Sequence, residues 1–482
     1  MAICCDCGKE HKKINKCANL KAGNSIVELP LKISWQEALK NGDCREIRRH
    51  VERGVNLCAP LEIGKRHPLE VAIENGHYDA VVLLVELGAG LISHESLYIN
   101  EAIMVGSFDV VKYLLKMGAF FKGRKSRGEY PLHAAFNAGN LEIFRYLLEA
   151  HSNEEIPLLQ RAIMTGETYD VNQMSLDAVN RADIYGEVPL HWAVRMGNQA
   201  IVEAIIGEGG DVGAKGIDDA TPLHIAAEYG RLQIVKLLLS AGAEVGVSTG
   251  DHDEYAMDRW RKQPLELAVY GGYEDIVKRL LEAGANVNAD GPFFDINDWT
   301  PLHSSARFGH VGIVQLLLDS GADLMRGASG YTPLCVAAEF GQEAIVKLLL
   351  AAGATSELEF SNEALNLAAR NGHETVVKLF LSAGADKNGY CLDQGVDASI
   401  DEIKFRKFHT PLHWAAQNGH VAVVKTLLAA RADINAETVE GETPMSLAAK
   451  SVERNDIIAS TDLKYKAVVE VLHAAGAPYV TI

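Results

Sequence analysis

The features that this sequence lacks narrow the class of protein first. The 482-residue chain contains no run of about 18 or more apolar residues, so it predicts no membrane-spanning helix. Its first residues, MAICCDCGKEHKK, do not show a basic region followed by an apolar one, so they do not predict a secretory signal. We therefore expect the protein in the cytoplasm.

Positive charge is also scarce. Lys and Arg number 46 against 64 Asp and Glu, which leaves a net charge of −18. Nucleic acids and anionic membranes require a basic surface, so neither is the expected main partner. An acidic chain is compatible with a protein partner that carries a basic surface, and its charge equally promotes solubility.

A unit of about 31–33 residues recurs along most of the chain. A start similar to Thr-Pro-Leu-His places proline at positions 189, 222, 264, 301, 333, 411 and 444, and alanine at position 364. The same slot falls upstream at Pro68, Tyr98, Pro131 and, in a weaker match, Leu158. In nearly every unit a glycine follows eight residues later.

Each unit predicts two short helices, as residues 219–246 (DATPLHIAAEYGRLQIVKLLLSAGAEVG) illustrate. Thr221 can accept a hydrogen bond from an orphan backbone N–H, and Pro222 suits the first helical position. Gly230 and Gly242 suit the left-handed conformation that ends a helix. Helices this short are not stable alone in water, so neighbouring units must cover their apolar faces.

The motifs TPLHIAAEYG, TPLHSSARFGH and TPLHWAAQNGH are each followed by a segment of the IVKLLLxxGA type. They resemble the ankyrin repeat family, and the resemblance covers roughly residues 31–482. It implies an all-α solenoid of about thirteen helix-turn-helix repeats with β-turn fingers. It also implies recognition of proteins, an expectation by analogy because a fold does not determine a function.

The regularity of the repeats predicts three regions. Residues 1–30 form a Cys-rich N-terminal segment that we expect to be flexible. Residues 31–184 carry degenerate repeats, and residues 185–482 carry regular ones. The pair after Glu154 lacks a leucine-rich second helix, which fits either a hinge or sequence drift. In the last unit we expect the stretch SVERNDIIASTDLKY to lengthen the loop between the helices.

Three regular units carry extra residues at the finger position, near 247–262, 289–299 and 386–409. Inserts at equivalent positions project from one side of a solenoid, which is often its binding side. These inserts combine acidic and aromatic residues, which either bind a partner or pack back on their own repeat. The candidate partner-binding residues are Tyr255, Trp260, Phe293, Phe294, Asp253, Asp295, Tyr390 and Phe405.

No residue is assigned a catalytic role. The sequence contains no P-loop, H-E-x-x-H or kinase signature. Asp251, Asp253 and Asp258 lack the glycine and terminal glutamate spacing of a calcium loop. A pocket walled by the acidic and aromatic inserts would permit acid–base chemistry, so an enzyme stays an alternative.

The N-terminal cysteines allow three interpretations. Cys4 and Cys7, with Cys17 and His11 nearby, resemble one half of a zinc site, although a second C-x-x-C is missing. The adjacent Cys4 and Cys5 fit palmitoylation instead. A flexible tail with reduced thiols requires neither. Beyond the zinc interpretation, no cofactor is expected.

Histidines recur in register at positions 133, 191, 224, 303 and 413. A stacked row of histidines suits metal binding or general-base chemistry. However, Cys335 and Asn366 occupy the same slot, so no such chemistry requires histidine there. In the ankyrin family this histidine bonds the backbone of adjoining turns and holds the finger, and we expect that structural role.

Together these features predict a protein-binding scaffold or adaptor, monomeric, that recognises a partner protein through its concave face and extended fingers. The first alternative is an enzyme with a pocket between the inserts. The second is a pathogen effector that engages a host protein.

Overall fold

The computed structural model describes residues 33–61, 66–91, 97–119, 130–152, 155–166, 175–249, 262–289, 299–327, 331–354, 358–390, 409–438, 440–454 and 459–478. The chain divides into two compact units, Met1–Ile156 and Pro157–Ile482. The described residues form 26 α-helices in thirteen pairs and no β-strand, which confirms the all-α prediction. The sequence predicts a boundary at residue 185 between degenerate and regular repeats. That boundary rests on the repeat sequence alone and stays a prediction.

The first unit contains four helix pairs. They are α1 (Trp35–Lys40), α2 (Cys44–Glu52), α3 (Pro68–Glu74), α4 (Tyr78–Glu86), α5 (Leu97–Val105), α6 (Phe108–Lys116), α7 (Pro131–Asn137) and α8 (Leu141–Ala150).

The second unit contains nine pairs. They are α9 (Leu158–Thr165), α10 (Leu176–Val179), α11 (Pro189–Met196), α12 (Gln199–Gly207), α13 (Pro222–Glu228), α14 (Leu232–Ser240), α15 (Pro264–Tyr270), α16 (Glu274–Glu282), α17 (Pro301–Phe308), α18 (Val311–Asp319), α19 (Pro333–Glu339), α20 (Glu343–Ala351), α21 (Leu358–Asn371), α22 (Glu374–Ser382), α23 (Pro411–Gln417), α24 (Val421–Ala429), α25 (Pro444–Arg454) and α26 (Ala459–Ala474).

The helices of the second unit lie in two layers. Odd-numbered helices pack on one another in chain order and form the first layer, while even-numbered helices form the second. Leu223 of α13 and Val235 and Leu238 of α14 are fully buried between the layers. Because each repeat contacts mainly its neighbours, the core is continuous along the unit. No helix of the described residues is long and apolar enough to cross a membrane.

Prolines and glycines define the helix ends as predicted. Pro222 begins α13, and Gly230 and Gly242 adopt left-handed φ angles of 68° and 89°. The predicted cap at Thr221 is part of a capping box with His224: the Thr221 side chain accepts from the backbone N–H of His224, and the backbone N–H of Thr221 donates to Nδ1 of His224 at 3.1 Å. The histidine side chain therefore satisfies the start of α13.

Side chains that follow the helix-ending glycines link neighbouring repeats. Nε2 of His373 lies 2.8 Å from the carbonyl oxygen of Glu339 in the preceding repeat. Nε2 of His420 lies 2.9 Å from the carbonyl oxygen of Arg370. Each bond satisfies a carbonyl near the end of a first-layer helix, where the intrahelical ladder leaves acceptors unpaired.

Four helices depart from the regular pattern. The weak pair after Glu154 has its expected first helix, α9, but its second, α10, has only four residues. Helix α21 is 14 residues long because no Thr-Pro pair stops it at the usual start. The long loop expected in the last unit is wrong: α25 and α26 extend into it from both sides, since that stretch contains neither glycine nor proline.

Candidate protein-interaction surface

Three consecutive first-layer helices of the second unit end on exposed aromatic residues. Tyr270 ends α15, Phe308 ends α17, and Phe340 follows α19 directly. These residues are 37%, 38% and 42% exposed, respectively. The rings of Tyr270 and Phe308 lie 4.6 Å apart between centroids, with their planes inclined by 54°. We call Tyr270, Phe308 and Phe340 the aromatic row.

The repeat sequence explains why these rings are exposed. Each lies one or two residues before the glycine that ends the first helix, whereas the residues that fill the core precede it. In α17, for example, Leu302 and Ala306 are fully buried and Phe308 is exposed. Stacked repeats therefore present the residues at this position side by side.

Arg307 places a guanidinium group between two rings of the aromatic row. Its Cζ lies 5.9 Å from the centroid of Phe308 and 5.1 Å from that of Phe340. Aromatic faces attract cations at such distances. Partial burial raises the pKa of the Tyr270 hydroxyl, and the positive charge of Arg307 opposes that rise. The guanidinium thus acts electrostatically on all three rings.

Lys262 connects the aromatic row to the first insert. Its backbone N–H donates to Oγ1 of Thr249 at 2.9 Å, and its carbonyl accepts from the backbone N–H of Thr249 at 3.0 Å. Its Nζ lies 5.6 Å from the centroid of the Tyr270 ring. Partial burial lowers the pKa of Lys262, although Glu228 and Glu266 oppose this shift. The residues that bracket the first insert therefore hold a cation beside the row.

Tyr331 supports the middle of this surface. Its hydroxyl donates to the carboxylate of Glu339, and its ring stacks on Trp299 at 6.4 Å between centroids. Burial and the hydrogen bond to Glu339 raise the pKa of Tyr331, so its hydroxyl stays protonated. Trp299 is buried and donates from Nε1 to Oγ of Ser304 at 2.9 Å. These bonds hold the side chains of Trp299, Tyr331 and Glu339, and Glu339 directly precedes Phe340 in the sequence.

The in-register histidines hold the fingers, as expected. Nε2 of His224, His303 and His413 lies 3.2, 3.2 and 3.1 Å from the carbonyl oxygens of Lys262, Tyr331 and Glu442, respectively. Burial lowers the pKa of His224 and of His413 to about 4, so both imidazoles are neutral at pH 7. Their hydrogen bonds confirm the structural role.

A buried ionic cluster lies at the start of the regular repeats. The guanidinium of Arg195 makes two hydrogen bonds to the carboxylate of Glu187, at 2.7 and 2.8 Å. Oδ2 of Asp183 accepts from Nε1 of Trp192 at 2.9 Å. Burial and the charge of Glu187 raise the pKa of Asp183 to about 7, while the Trp192 bond opposes the rise. All three charged residues are less than 10% exposed, so the cluster stabilises the fold rather than offering a surface.

Most residues that the sequence singled out lie outside the described residues. These are Tyr255, Trp260, Phe293, Phe294, Asp253, Asp295 and Phe405, together with Cys4, Cys7 and Cys17. Tyr390 is described, and it is 54% exposed just before the third insert. The partner-binding role of these residues stays a prediction.

Two observations bear on chemistry. The described residues contain no group of three or more His, Cys, Asp or Glu side chains arranged to hold a metal ion. Residues 246–250, GVSTG, match the G-x-S-x-G pattern of hydrolases. That pattern requires a sharp turn from a strand into a helix, whereas Ser248 lies in an irregular segment after α14. The match therefore does not mark a nucleophile.

Cysteine states differ along the chain. Cys44 and Cys335 are free thiols, and Cys58 is disulfide-bonded. Disulfides are rare in cytosolic proteins, so the expected cytoplasmic location stays a prediction.

Stacked helix pairs with fingers held by histidine define an all-α helical-repeat protein. A family model described as ankyrin repeats (3 copies) matches residues 69–159, 99–216, 157–249, 190–291, 247–328, 265–359, 324–391 and 365–460. The chain therefore belongs to the ankyrin repeat family, whose members generally serve as protein–protein interaction scaffolds. Among solved structures, the human ASB11 ankyrin repeat domain is 25% identical, with a TM-score of 0.42 over 54% of this chain and 100% of that one.

The sequence interpretation missed the aromatic row. Its signal was available, because an aromatic residue stands just before or within two positions of the helix-ending glycine in successive units. The inserts were selected as the candidate site instead, because aromatic residues are less usual in acidic loops than beside a helix end.

Proposed function

We propose that this protein is a scaffold or adaptor that binds a partner protein through the aromatic row and the fingers beside it. The observation that carries the proposal is the presence of three exposed aromatic residues on three consecutive repeats. Exposed aromatic side chains on a fixed backbone are the usual composition of interaction hot spots.

The rigidity of the surface supports the same function. The bonds of His373 and His420 fix the spacing of neighbouring repeats. The bond from Tyr331 to Glu339 holds the side chain that directly precedes Phe340. Because these groups are ordered before binding, little conformational entropy is lost on association.

The inserts extend this proposal. Lys262, which follows the acidic part of the first insert in the sequence, bonds Thr249 and lies beside Tyr270. We propose that Asp253 and Asp295 face basic groups of the partner, consistent with the net charge of −18. We also propose that the protein acts as a monomer in the cytoplasm.

An enzyme and a pathogen effector remain alternative functions. The scaffold is favoured over an enzyme because the most altered pKa values in the described part of the chain belong to groups with structural partners, such as Asp183, His224 and Tyr331. A pathogen effector would bind a host protein through this same surface. The effector alternative therefore differs from the scaffold proposal in the identity of the partner and not in the mechanism of binding.

Zinc binding by Cys4, Cys7 and Cys17 is a separate proposal. It predicts stoichiometric zinc in protein purified without chelator, and substitution of all three by serine should remove the metal. Protein that is free of metal after such a purification would refute it.

Site-specific photocrosslinking tests the scaffold proposal. A benzophenone amino acid is placed at Phe340, and in a control protein at Val311, which is 41% exposed on a second-layer helix of the neighbouring repeat. We expect the Phe340 probe to form a discrete protein adduct in cells and the Val311 probe to form none.

A second comparison connects the adduct to the row. Tyr270→Ala and Phe308→Ala, added to the Phe340 probe, should abolish the adduct without changing the far-ultraviolet circular dichroism. Equal adducts from both probe positions, or an adduct that survives both substitutions, would refute a binding site on the aromatic row.

A further inference from the structure

We propose that the aromatic row binds an uncharged, proline-rich segment of the partner in the polyproline II conformation, with two prolines three positions apart on its rings. This inference rests on the proposed function, because it specifies the partner segment for the same surface. The basic groups proposed to face the inserts belong to other parts of that partner.

The aromatic row offers two apolar contacts on neighbouring repeats. The rings of Tyr270 and Phe308 lie 4.6 Å apart between centroids, so together they form one contact. Phe340, which follows the next first-layer helix, forms the second. Proline-rich segments dock on aromatic-lined surfaces of this kind, because their conformation is formed before binding and little entropy is lost.

The spacing of the repeats selects the conformation of the segment. Packed helices lie about 8–10 Å apart, which is the step from one first-layer helix to the next. A polyproline II helix has three residues per turn and returns to the same face after roughly 9.3 Å. In a β-strand, successive side chains point to opposite faces, so residues three positions apart cannot both contact the row. The polyproline II helix therefore matches the repeat, and a β-strand does not.

Arg307 lies in the gap between the two contacts. Its Cζ lies 5.9 Å from the centroid of Phe308 and 5.1 Å from that of Phe340. An α-helix would place its residues three and four positions beyond the first contact against this guanidinium, because these residues share one face. A polyproline II helix has no internal hydrogen bonds, so its backbone carbonyls can face the guanidinium between the two contacts. The gap therefore favours polyproline II over an apolar α-helix.

The charges beside the row favour a segment without charge. Arg307 has a further interaction within the chain besides its two ring contacts. Burial lowers the pKa of Lys262, and Glu228 and Glu266 oppose this shift, so these carboxylates compensate its charge. The carboxylate of Glu339 already accepts a side-chain hydrogen bond. A charged side chain of the segment would lose water here without gaining a new opposite charge.

Three phage libraries of 15-residue peptides test this inference on the immobilised full-length chain. The first fixes proline at two positions three apart, the second fixes leucine at two positions seven apart, as one face of an α-helix requires, and the third is random. The best peptides of each library are synthesised with fluorescein, and their dissociation constants are measured by fluorescence anisotropy. We expect the proline library to give the tightest ligands, with uncharged residues at and between the two prolines.

Variants of the protein and of the peptide assign the contacts. Phe308→Ala and Phe340→Ala should each weaken the best peptide by about tenfold, because each removes part of an apolar contact. Val311→Ala is the control, since Val311 is 41% exposed on the second-layer helix α18, and its dissociation constant should equal that of the wild type. Insertion of one alanine between the two prolines should also weaken binding by about tenfold, because the second proline then turns away from the row.

Salt dependence tests the absence of charge in the segment. The dissociation constant should change by less than about twofold when sodium chloride rises from about 50 mM to about 500 mM, because no ion pair forms. A peptide whose affinity falls steeply with salt and depends on Phe340 would contradict the uncharged segment.

The outcomes separate this inference from the proposed function. Tightest ligands from the leucine library that depend on both phenylalanines would overturn the inference and leave the scaffold surface standing. Proline-rich ligands that ignore both phenylalanine variants would overturn it as well. If no library gives a ligand, the inference fails, and the photocrosslinking at Phe340 decides the proposed function by itself. Circular dichroism and thermal midpoints equal to wild type show that the variants are folded.

Discussion

Arg195 and Glu187 form a buried bidentate ion pair eight residues apart, with hydrogen bonds of 2.7 and 2.8 Å. The two residues are 7% and 1% exposed, and Arg195 also stacks over Trp192 at 4.8 Å. Burial of a charge is costly unless the charge is paired. Removal of one member would therefore leave the other as an uncompensated buried charge.

Removal of either partner should therefore destabilise the second unit strongly. We expect Glu187→Gln or Arg195→Met to lower the free energy of unfolding by about 3–5 kcal/mol, measured by urea denaturation. Lys347→Ala is the control, because it breaks an exposed ion pair with Glu343 and should leave the midpoint nearly unchanged. Single variants as stable as this control would contradict the prediction.

Asp183 should make stability fall as the pH rises. Its folded pKa of about 7 lies above the ordinary value of 3.8, so the folded state binds more protons between these pH values. The free energy of unfolding should decrease by about 4 kcal/mol from pH 4 to pH 7 on account of this group. In Asp183→Asn, urea midpoints across that range should lack this contribution. Parallel pH profiles of variant and wild type would count against it.

His224 should act in the opposite direction. Its folded pKa of about 4 lies below the ordinary 6.5, because burial disfavours the charged imidazole. Between pH 6.5 and pH 4 the imidazole binds a proton in the unfolded chain but not in the folded chain. The contribution of His224 to the free energy of unfolding, present above pH 6.5, is therefore lost as the pH falls towards 4. The loss should reach about 3 kcal/mol. His224→Gln should flatten this part of the profile, whereas an unchanged slope would show that His224 does not titrate on unfolding.

Alanine substitutions at Gly372 and at Gly384 distinguish the cost of backbone strain from the contribution of the His420 hydrogen bond. Both have left-handed φ angles, 80° and 90°, which strain any other residue by about 1–2 kcal/mol. A methyl group at Gly372 would also lie 2.5 Å from Nδ1 of His420, whereas one at Gly384 would meet no atom within 4 Å. Gly372→Ala should therefore cost about 1 kcal/mol more than Gly384→Ala, the value of the displaced His420 hydrogen bond. Equal losses in urea denaturation would show that the bond contributes nothing.

A comparison of α13 with α21 shows where the local sequence predicts the ends of a helix. Pro222 and Gly230 bracket α13, and the helix has the predicted ends. In α21 the Thr-Pro pair is missing, and the helix begins six residues before Ala364. The helix ends are thus predictable where a proline or glycine restricts φ, and they are poorly defined where ordinary residues leave the helix free to extend.

Sequence alone determined the repeat and the helix pair within each unit. These follow from residues a few positions apart, whose backbone preferences and apolar spacing act within one unit. The structural role of the in-register histidines came from the family resemblance, because their bonds reach carbonyls of the next repeat. The tertiary structure decided which side chains form a surface. Tyr270 and Phe308 are 38 positions apart in the chain and 4.6 Å apart between ring centroids, because stacking of the repeats sets their separation. The position of Arg307 between Phe308 and Phe340 has the same origin: the packing of one repeat on the next brings them together, and no pattern within a single repeat encodes that contact.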